Sequence, residues 1–231
     1  MPPGFPKAAI RPRNADLFIG RGASTAEAKE VIRAYLASIS WVDWNLGRVV
    51  AELDTLGLRD NTIVVFVADH GYQLGEKGKW SKAGSLFEMG TRVPLIIHDP
   101  RAAGNGKTST RLVQSLDIYP TLVELCGLSG PSSGLQGTSL TPLLHRPQAT
   151  WNRPAFSIWS EDGKSIHGVA VRKDHWRYVE FGVDGKNGSM LFDEQNDPLE
   201  MQNLAEDPGH AVIRNELSKL TAAYRDQNRP A

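Results

Sequence analysis

Residues 62–97 read TIVVFVADHGYQLGEKGKWSKAGSLFEMGTRVPLII, and this stretch decides the fold. It opens with a continuous apolar run, Ile63 to Ala68, too short for a full helix and rich in β-branched residues. That combination predicts a strand buried on both faces. Asp69-His70-Gly71 ends the run, and a loop punctuated by Gly75 and Gly78 follows, carrying Lys77, Lys79 and Lys82. A second apolar run, Val93 to Ile97, predicts another buried strand, with Pro94 tolerated near its start. Ligands of open α/β sheets sit beyond the carboxyl ends of strands, and Asp69 and His70 occupy such an end.

Upstream, Ser24-Thr25-Ala26-Glu27 fits a capping box. Ile32, Leu36, Ile39, Val42, Leu46, Val49 and Leu53 then recur at helical spacing. Gly57 stops this helix, and a bend is expected near Ser40 or Gly47. Residues 1–23, with four prolines, read as loop. Downstream, a short helix runs over Tyr119–Leu125 with Asp117 as its cap. From Ala155 the texture changes to short alternating segments, Ala155–Trp159, Gly168–Arg172, Trp176–Phe181 and Ser189–Phe192, separated by Asp, Gly, Asn and Lys turns. That pattern predicts a small antiparallel sheet. Asp207-Pro208 opens a last helix with Ile213, Leu217, Leu220 and Tyr224 on one face. The expected division is residues 1–150 as part of an α/β core and residues 151–231 as a small α+β subdomain.

Composition narrows the function classes. With 26 basic and 26 acidic residues among 231, no global field favours nucleic acid or an anionic membrane, so anion recognition must be local. A single cysteine, Cys126, excludes an internal disulfide and a multi-cysteine metal site, and it reads as a buried small hydrophobe. No segment approaches eighteen consecutive apolar residues. The tryptophans read as packing residues. The two apolar strands need neighbours and covering helices that the sequence does not supply before Thr150. The remaining sheet is therefore expected upstream of Met1 on a longer chain.

On spacing alone, Asp69 and His70 read either as a capped turn with a surface histidine or as two ligands of a divalent cation. Lys82 reads as a solvated lysine or as a clamp on a sulfate or phosphate oxygen. Glu76 and Glu88 are candidates to orient the lysines. His167 and Arg172 lie on or beside a subdomain strand and are candidates to face a substrate.

The ordered motifs Asp69-His70-Gly71-x-x-Leu74-Gly75-Glu76-x-Gly78-x-Trp80-x-Lys82, Thr91-Arg92-Val93-Pro94-Leu95-Ile96, Leu116-Asp117-Ile118-Tyr119-Pro120-Thr121-Leu122 and Asp197-Pro198-x-Glu200-x-x-Asn203-Leu204 closely resemble the sulfatase family, nearest to its iduronate-2-sulfatase-like members. The resemblance implies an alkaline-phosphatase-like α/β fold and a Ca2+-dependent hydrolase of sulfate esters, acting on a sulfated small molecule or glycan. It implies a periplasmic, secreted or lysosome-like compartment. By position, Asp69 and His70 resemble metal-site residues, and Lys82 resembles the lysine that contacts the sulfate or the leaving oxygen. The family's nucleophile is a hydrated formylglycine made within Cys/Ser-x-Pro-x-Arg, and no such motif occurs in these residues. Cys126 is followed by Gly127-Leu128, and Ser129-Gly130-Pro131-Ser132-Ser133 lacks the arginine. The chain thus resembles the C-terminal half of a sulfatase. The nucleophile and the early Asp-Asp metal pair are expected upstream, and the 231 residues alone are expected to be inactive. A phosphomonoester or phosphonate hydrolase of the same fold, or a non-catalytic remnant, is the alternative.

Overall fold

A computed structural model describes residues 2–9, 17–18, 21–82, 85–131 and 134–228. The expected loop over residues 1–23 therefore lies partly outside the described residues. Within it, Lys7–Ala9 form a 3₁₀ turn whose Ala8 and Ala9 are buried.

Helix α1 spans Thr25–Thr55 without interruption. Its start is the expected capping box: Ser24 Oγ accepts from Glu27 N, and the Glu27 side chain accepts from Ser24 N at 2.8 Å. Arg21 adds an ion pair to Glu27 at 2.8 Å, so the first turn is fixed from both sides. The helix continues unbroken through Ser40 and Gly47, where a bend was expected. Hydroxyls at Ser38 and Ser40 bond back to Ala34 and Leu36 carbonyls without breaking the ladder. No residue of α1 is buried, and Ile32, Leu36, Ile39, Val42 and Val49 are all exposed. Trp41 and Trp44 stack on each other at 5.1 Å while remaining exposed, so within this chain they are not packing residues.

Strands β1 (Val64–Val67) and β2 (Leu95–His98) pair antiparallel, with Val64 opposite His98 and Val67 opposite Leu95. Among the described residues they form a two-stranded sheet. The expectation that both faces are buried is not met within these residues, since Val67 and Ile96 are exposed. A two-stranded ribbon has no neighbours to cover its second face. The four-residue helix α2 (Glu88–Thr91) lies between them in the chain.

Helix α3 spans Ile118–Leu125 and α4 spans Thr141–His145. Asp117 does not cap α3 through its side chain. Its carboxylate instead accepts from Gln114 N at 2.9 Å and Thr138 N at 2.8 Å, tying two loops together. Cys126 follows α3 and is exposed, because the end of that helix points outward rather than into a core.

The second sheet is a meander of β3 (Ala155–Trp159), β4 (Gly168–Lys173), β5 (Trp176–Phe181) and β6 (Ser189–Asp193), every pair antiparallel. Both of its faces are covered. Helix α5 (Ala211–Gln227) lays Leu217, flanked by Ile213 and Leu220, against Val171, Tyr178 and Leu191. On the opposite face Ala170, Val179, Phe181, Met190 and Phe192 pack against Leu86, Phe87 and Ala8–Ala9. The polar positions of the alternating strands are therefore buried too: Arg177 faces Leu86 and Phe87, and Glu180 faces α5, where Arg225 donates to it at 3.1 Å. Leu86 and Phe87 belong to the opening stretch, so this sheet is fastened directly to the segment downstream of Lys82.

Candidate functional site

At the end of β1 the chain leaves the ladder at Asp69 and turns under α2. The Gly71 N–H donates to the Gly90 carbonyl at 3.0 Å, and a Cβ on Gly71 would collide with the Met89 carbonyl. Only glycine permits this approach, which sets the backbone of the Asp-His-Gly turn against α2.

The turn brings two donor atoms together. Asp69 Oδ2 lies 3.5 Å from His70 Nε2, and the Asp69 side chain is 86% exposed against 33% for His70. Asp69 Oδ1 meanwhile accepts from His70 N at 3.0 Å, which orients the carboxylate. His70 Nδ1 lies 2.9 Å from the Gly71 carbonyl. A carbonyl can only accept, so Nδ1 carries a proton, and in that tautomer Nε2 is the ring atom with a lone pair for a cation. An oxygen and a nitrogen lone pair at this separation suit one cation, and backbone bonds to the second atom of each group hold them in place. The Asp69 carboxylate fits a share of a Ca2+ shell, which takes six to eight oxygen ligands. The His70 nitrogen is a less conventional Ca2+ ligand and suits a transition metal better. Among the described residues no group of three or more His, Cys, Asp or Glu side chains could hold a metal, so the rest of a shell would come from elsewhere.

The loop after His70 is a hairpin. Tyr72 and Lys82 form an antiparallel bridge, Gln73 N donates to Ser81 O at 3.0 Å, and Gly75 N donates to Lys79 O at 2.9 Å. The hairpin can close because Gly75 takes a φ of 110°, where a Cβ would also press into the Trp80 ring at 2.7 Å. Lys82 is thereby carried back across from Tyr72, two positions from His70, and it is exposed. An exposed lysine on the same turn system as the two donors can meet an anionic group held there. The Tyr72 ring packs at a tilt against Tyr35 of α1, with centroids 5.2 Å apart, which gives the hairpin a contact with the long helix.

Lys77 points away from this site. Its Nζ donates to the Leu199 carbonyl at 2.7 Å and sits 4.3 Å from the Phe87 ring centre. Burial lowers its pKa, opposed by Glu200 and other nearby carboxylates. Glu76 accepts from Leu74 N at 2.6 Å and Glu88 pairs with arginines, so both serve the loop frame and not Lys82.

The two subdomain candidates are placed apart. His167 lines a cavity of about 250 Å³ with Trp159, Phe181, Lys186 and Asn187, and its Nδ1 accepts from Glu161 N at 3.1 Å. Arg172 lies on β4 with its guanidinium 3.5 Å from Glu194 and 3.8 Å from Glu88. Burial lowers its pKa, opposed by those carboxylates and reinforced by Arg177. Arg172 and Arg177 are direct partners across β4 and β5, and Glu88, Glu194 and Glu200 balance them. The sequence pattern did not single out Arg177, Glu194 or Glu200 as an ensemble. Its available signal was Glu200 within Asp197-Pro198-x-Glu200.

Known proteins resemble this chain in sequence and fold. The family described as Sulfatase matches residues 7–128, and that described as N-sulphoglucosamine sulphohydrolase, C-terminal, matches residues 75–227. A choline-sulfatase of Rhizobium meliloti (strain 1021) is 36% identical over 197 residues, covering 84% of this chain and 36% of its own length. A structure in complex with its substrate D-glucosamine-2-N,6-O-disulfate superposes with a TM-score of 0.78 at 30% identity, covering 90% of this chain and 44% of the other. The phosphonate monoester hydrolase of Agrobacterium radiobacter superposes with a TM-score of 0.69 at 29% identity, covering 82% of this chain and 40% of the other. The chain thus spans less than half the length of each of these relatives. Its fold is the alkaline-phosphatase-like α/β fold of these enzymes, with the small antiparallel sheet and C-terminal helix. The chain belongs to the sulfatase family.

Proposed function

We propose that these residues form the C-terminal part of a sulfate-ester hydrolase acting on sulfated carbohydrate. Asp69 and His70 supply two ligands to a Ca2+ ion, and Lys82 contacts the sulfate or the leaving oxygen. The observation that carries this reading is the convergence of Asp69 Oδ2 and His70 Nε2 at 3.5 Å, at the mouth of the hairpin that returns Lys82. A bound divalent cation would neutralise and polarise the anionic ester. The ammonium of Lys82 would stabilise charge developing on the leaving oxygen.

The attacking group, a formylglycine in a Cys/Ser-x-Pro-x-Arg segment, and the remaining metal ligands belong to polypeptide outside these residues. The unburied apolar face of α1 and the two-stranded β1–β2 ribbon support that reading, since both present surface that a larger sheet would cover. The motif resemblance to iduronate-2-sulfatase-like members and the disulfated glucosamine bound by one structural relative support an amino-sugar or uronate O-sulfate as substrate.

The likeness to a phosphonate monoester hydrolase favours one second reading, a phosphonate or phosphate ester substrate at the same site. The test compares release of sulfate from glucosamine-6-O-sulfate with release of phenol from phenyl phenylphosphonate. Both are measured on the 231-residue chain and on the genomic reading frame extended upstream of Met1. Sulfate release by the extended chain alone supports the proposal. Preferred phosphonate hydrolysis supports the second reading, and turnover by the 231 residues themselves would overturn the assignment of the nucleophile.

A further inference from the structure

We infer that Glu200 is a positioning residue for this site, its one carboxylate setting both the α2 turn over Asp69-His70-Gly71 and the hairpin that carries Lys82. The inference rests on the site reading given above and adds to it a residue far away in the chain.

The first link runs to α2. The Glu88 N–H, at the first position of that helix, donates to both Glu200 oxygens at 3.1 and 2.9 Å. The local sequence supplies no side-chain cap, since Phe87 occupies the N-cap position. A carboxylate from another part of the chain does that work and complements the positive end of the helix. Helix α2 in turn packs its Met89 and Gly90 carbonyls against Gly71, the residue after His70.

The second link runs to the hairpin. Lys77 Nζ lies 3.8 Å from Glu200 Oε2 and donates to the neighbouring Leu199 carbonyl. Both ends of this contact sit in left-handed backbone, each with φ of 53°. That conformation costs a side-chain-bearing residue roughly 1–2 kcal/mol, and it persists where surrounding contacts over-determine it. Asp197 provides those contacts for Glu200: its Oδ2 accepts from Met201 N at 2.7 Å and Gln202 N at 2.8 Å, closing a turn that aims Glu200 inward.

The third link balances charge. Arg177 Nε lies 2.9 Å from Glu200 and 2.7 Å from Glu194, while its Nη2 meets Glu88. Its Nη1 donates to Thr91 Oγ1 at 3.1 Å and to the Leu86 carbonyl at 3.3 Å, so both ends of α2 are held. Glu200 and Arg177 are 1% and 3% exposed, which makes every one of these bonds costly to leave unmade. A network serving only the antiparallel sheet would close on strand residues. This one reaches from β5 to the two elements that frame the candidate site.

Amide hydrogen exchange by NMR on the 231-residue chain tests the assignment. With Glu200→Gln, exchange at the Gly71 and Gly75 amides is expected to speed up by about tenfold or more, while Val171, Tyr178 and Val179 in β4 and β5 stay within about twofold. Equal acceleration at all these amides would show a role in the sheet alone and overturn the inference, as would no change at Gly71. If Glu200→Gln does not fold, Lys77→Met decides the matter, because it retains the stem over Phe87. Faster exchange at Gly75 and Lys79 with Gly71 unchanged is expected, and an unchanged Gly75 would overturn the inference. Ester hydrolysis is not read in this experiment, so a failure of the catalytic reading and a failure of the positioning role remain distinct.

Discussion

Asp69 Oδ2 and His70 Nε2 approach to 3.5 Å because each group's second polar atom is engaged by backbone, Asp69 Oδ1 by His70 N and His70 Nδ1 by the Gly71 carbonyl. In the proposed role the pair would supply two ligands where Ca2+ takes six to eight, so the 231-residue chain is expected to bind Ca2+ with a dissociation constant above about 1 mM. Titration calorimetry checks this. In a chain extended by the proposed upstream half, Asp69→Ala is expected to remove stoichiometric calcium, read by elemental analysis. Retained stoichiometry would count against the ligand assignment.

Gly71 and Gly47 make a matched pair of glycine substitutions with opposite signs. A Cβ at Gly71 meets the Met89 carbonyl, so Gly71→Ala must push α2 off the turn, at an expected cost of about 1–3 kcal/mol. A Cβ at Gly47, inside α1, meets nothing within 4 Å, and Gly47→Ala is expected to stabilise by about 0.5–1 kcal/mol. Urea denaturation of both variants measures the difference. Equal destabilisation would show that α2 does not rest on Gly71.

The apolar residues of α1 and α5 should behave differently although both helices carry apolar stripes. Leu217 is fully buried against β4–β6, and Leu217→Ala is expected to cost about 2–5 kcal/mol. Leu36 is 56% exposed, and Leu36→Gln in the 231-residue chain is expected to change stability by no more than about 0.5 kcal/mol. The same substitution in a chain that includes the upstream half is expected to become costly. A large loss already present in the 231 residues would mean that the α1 face is covered by these residues themselves.

Glu200 gives the chain a pH dependence of definite sign. Burial, with Glu194 adding to it and Arg177 and Lys77 opposing, pushes its carboxyl up from an ordinary 4.5 to about 7. Between those values the folded chain keeps a proton that the unfolded chain has lost. This contribution to stability is therefore complete below about pH 4.5 and is lost as pH rises through about 7. Urea midpoints are expected to fall from pH 5 to pH 8 in the parent chain, and Glu200→Gln, which has no proton to lose, is expected to flatten that fall. A midpoint that rises over this range would refute the sign.

Much was determined by the sequence itself. The four strands of the meander, the capping box of α1 and the face of α5 formed by Ile213, Leu217, Leu220 and Tyr224 follow from local periodicity and cap chemistry, which neighbours in the chain decide. The segment from Asp69 to Lys82 was singled out by its resemblance to a family motif, while its spacing alone left a capped turn and a solvated lysine open. The hairpin and the close approach of Gly71 were visible only in the fold.

Three things depended on the tertiary structure. The exposure of α1, with Trp41 and Trp44 on its surface, depends on which partners are present, and periodicity names an apolar face without naming what covers it. Arg177 and Glu180, three residues apart on β5, point to opposite faces, and both are buried because this sheet is covered on both sides. The joining of Glu88, Arg177, Glu194 and Glu200 spans residues 88 to 200, and a charge cluster assembled over such separations has no local signature. Sequence thus singled out the two donors and the lysine loop. Only the fold brought the distant Glu200 carboxylate to Glu88 N and Lys77, since a buried charge must be neutralised by whatever the folded chain brings within reach.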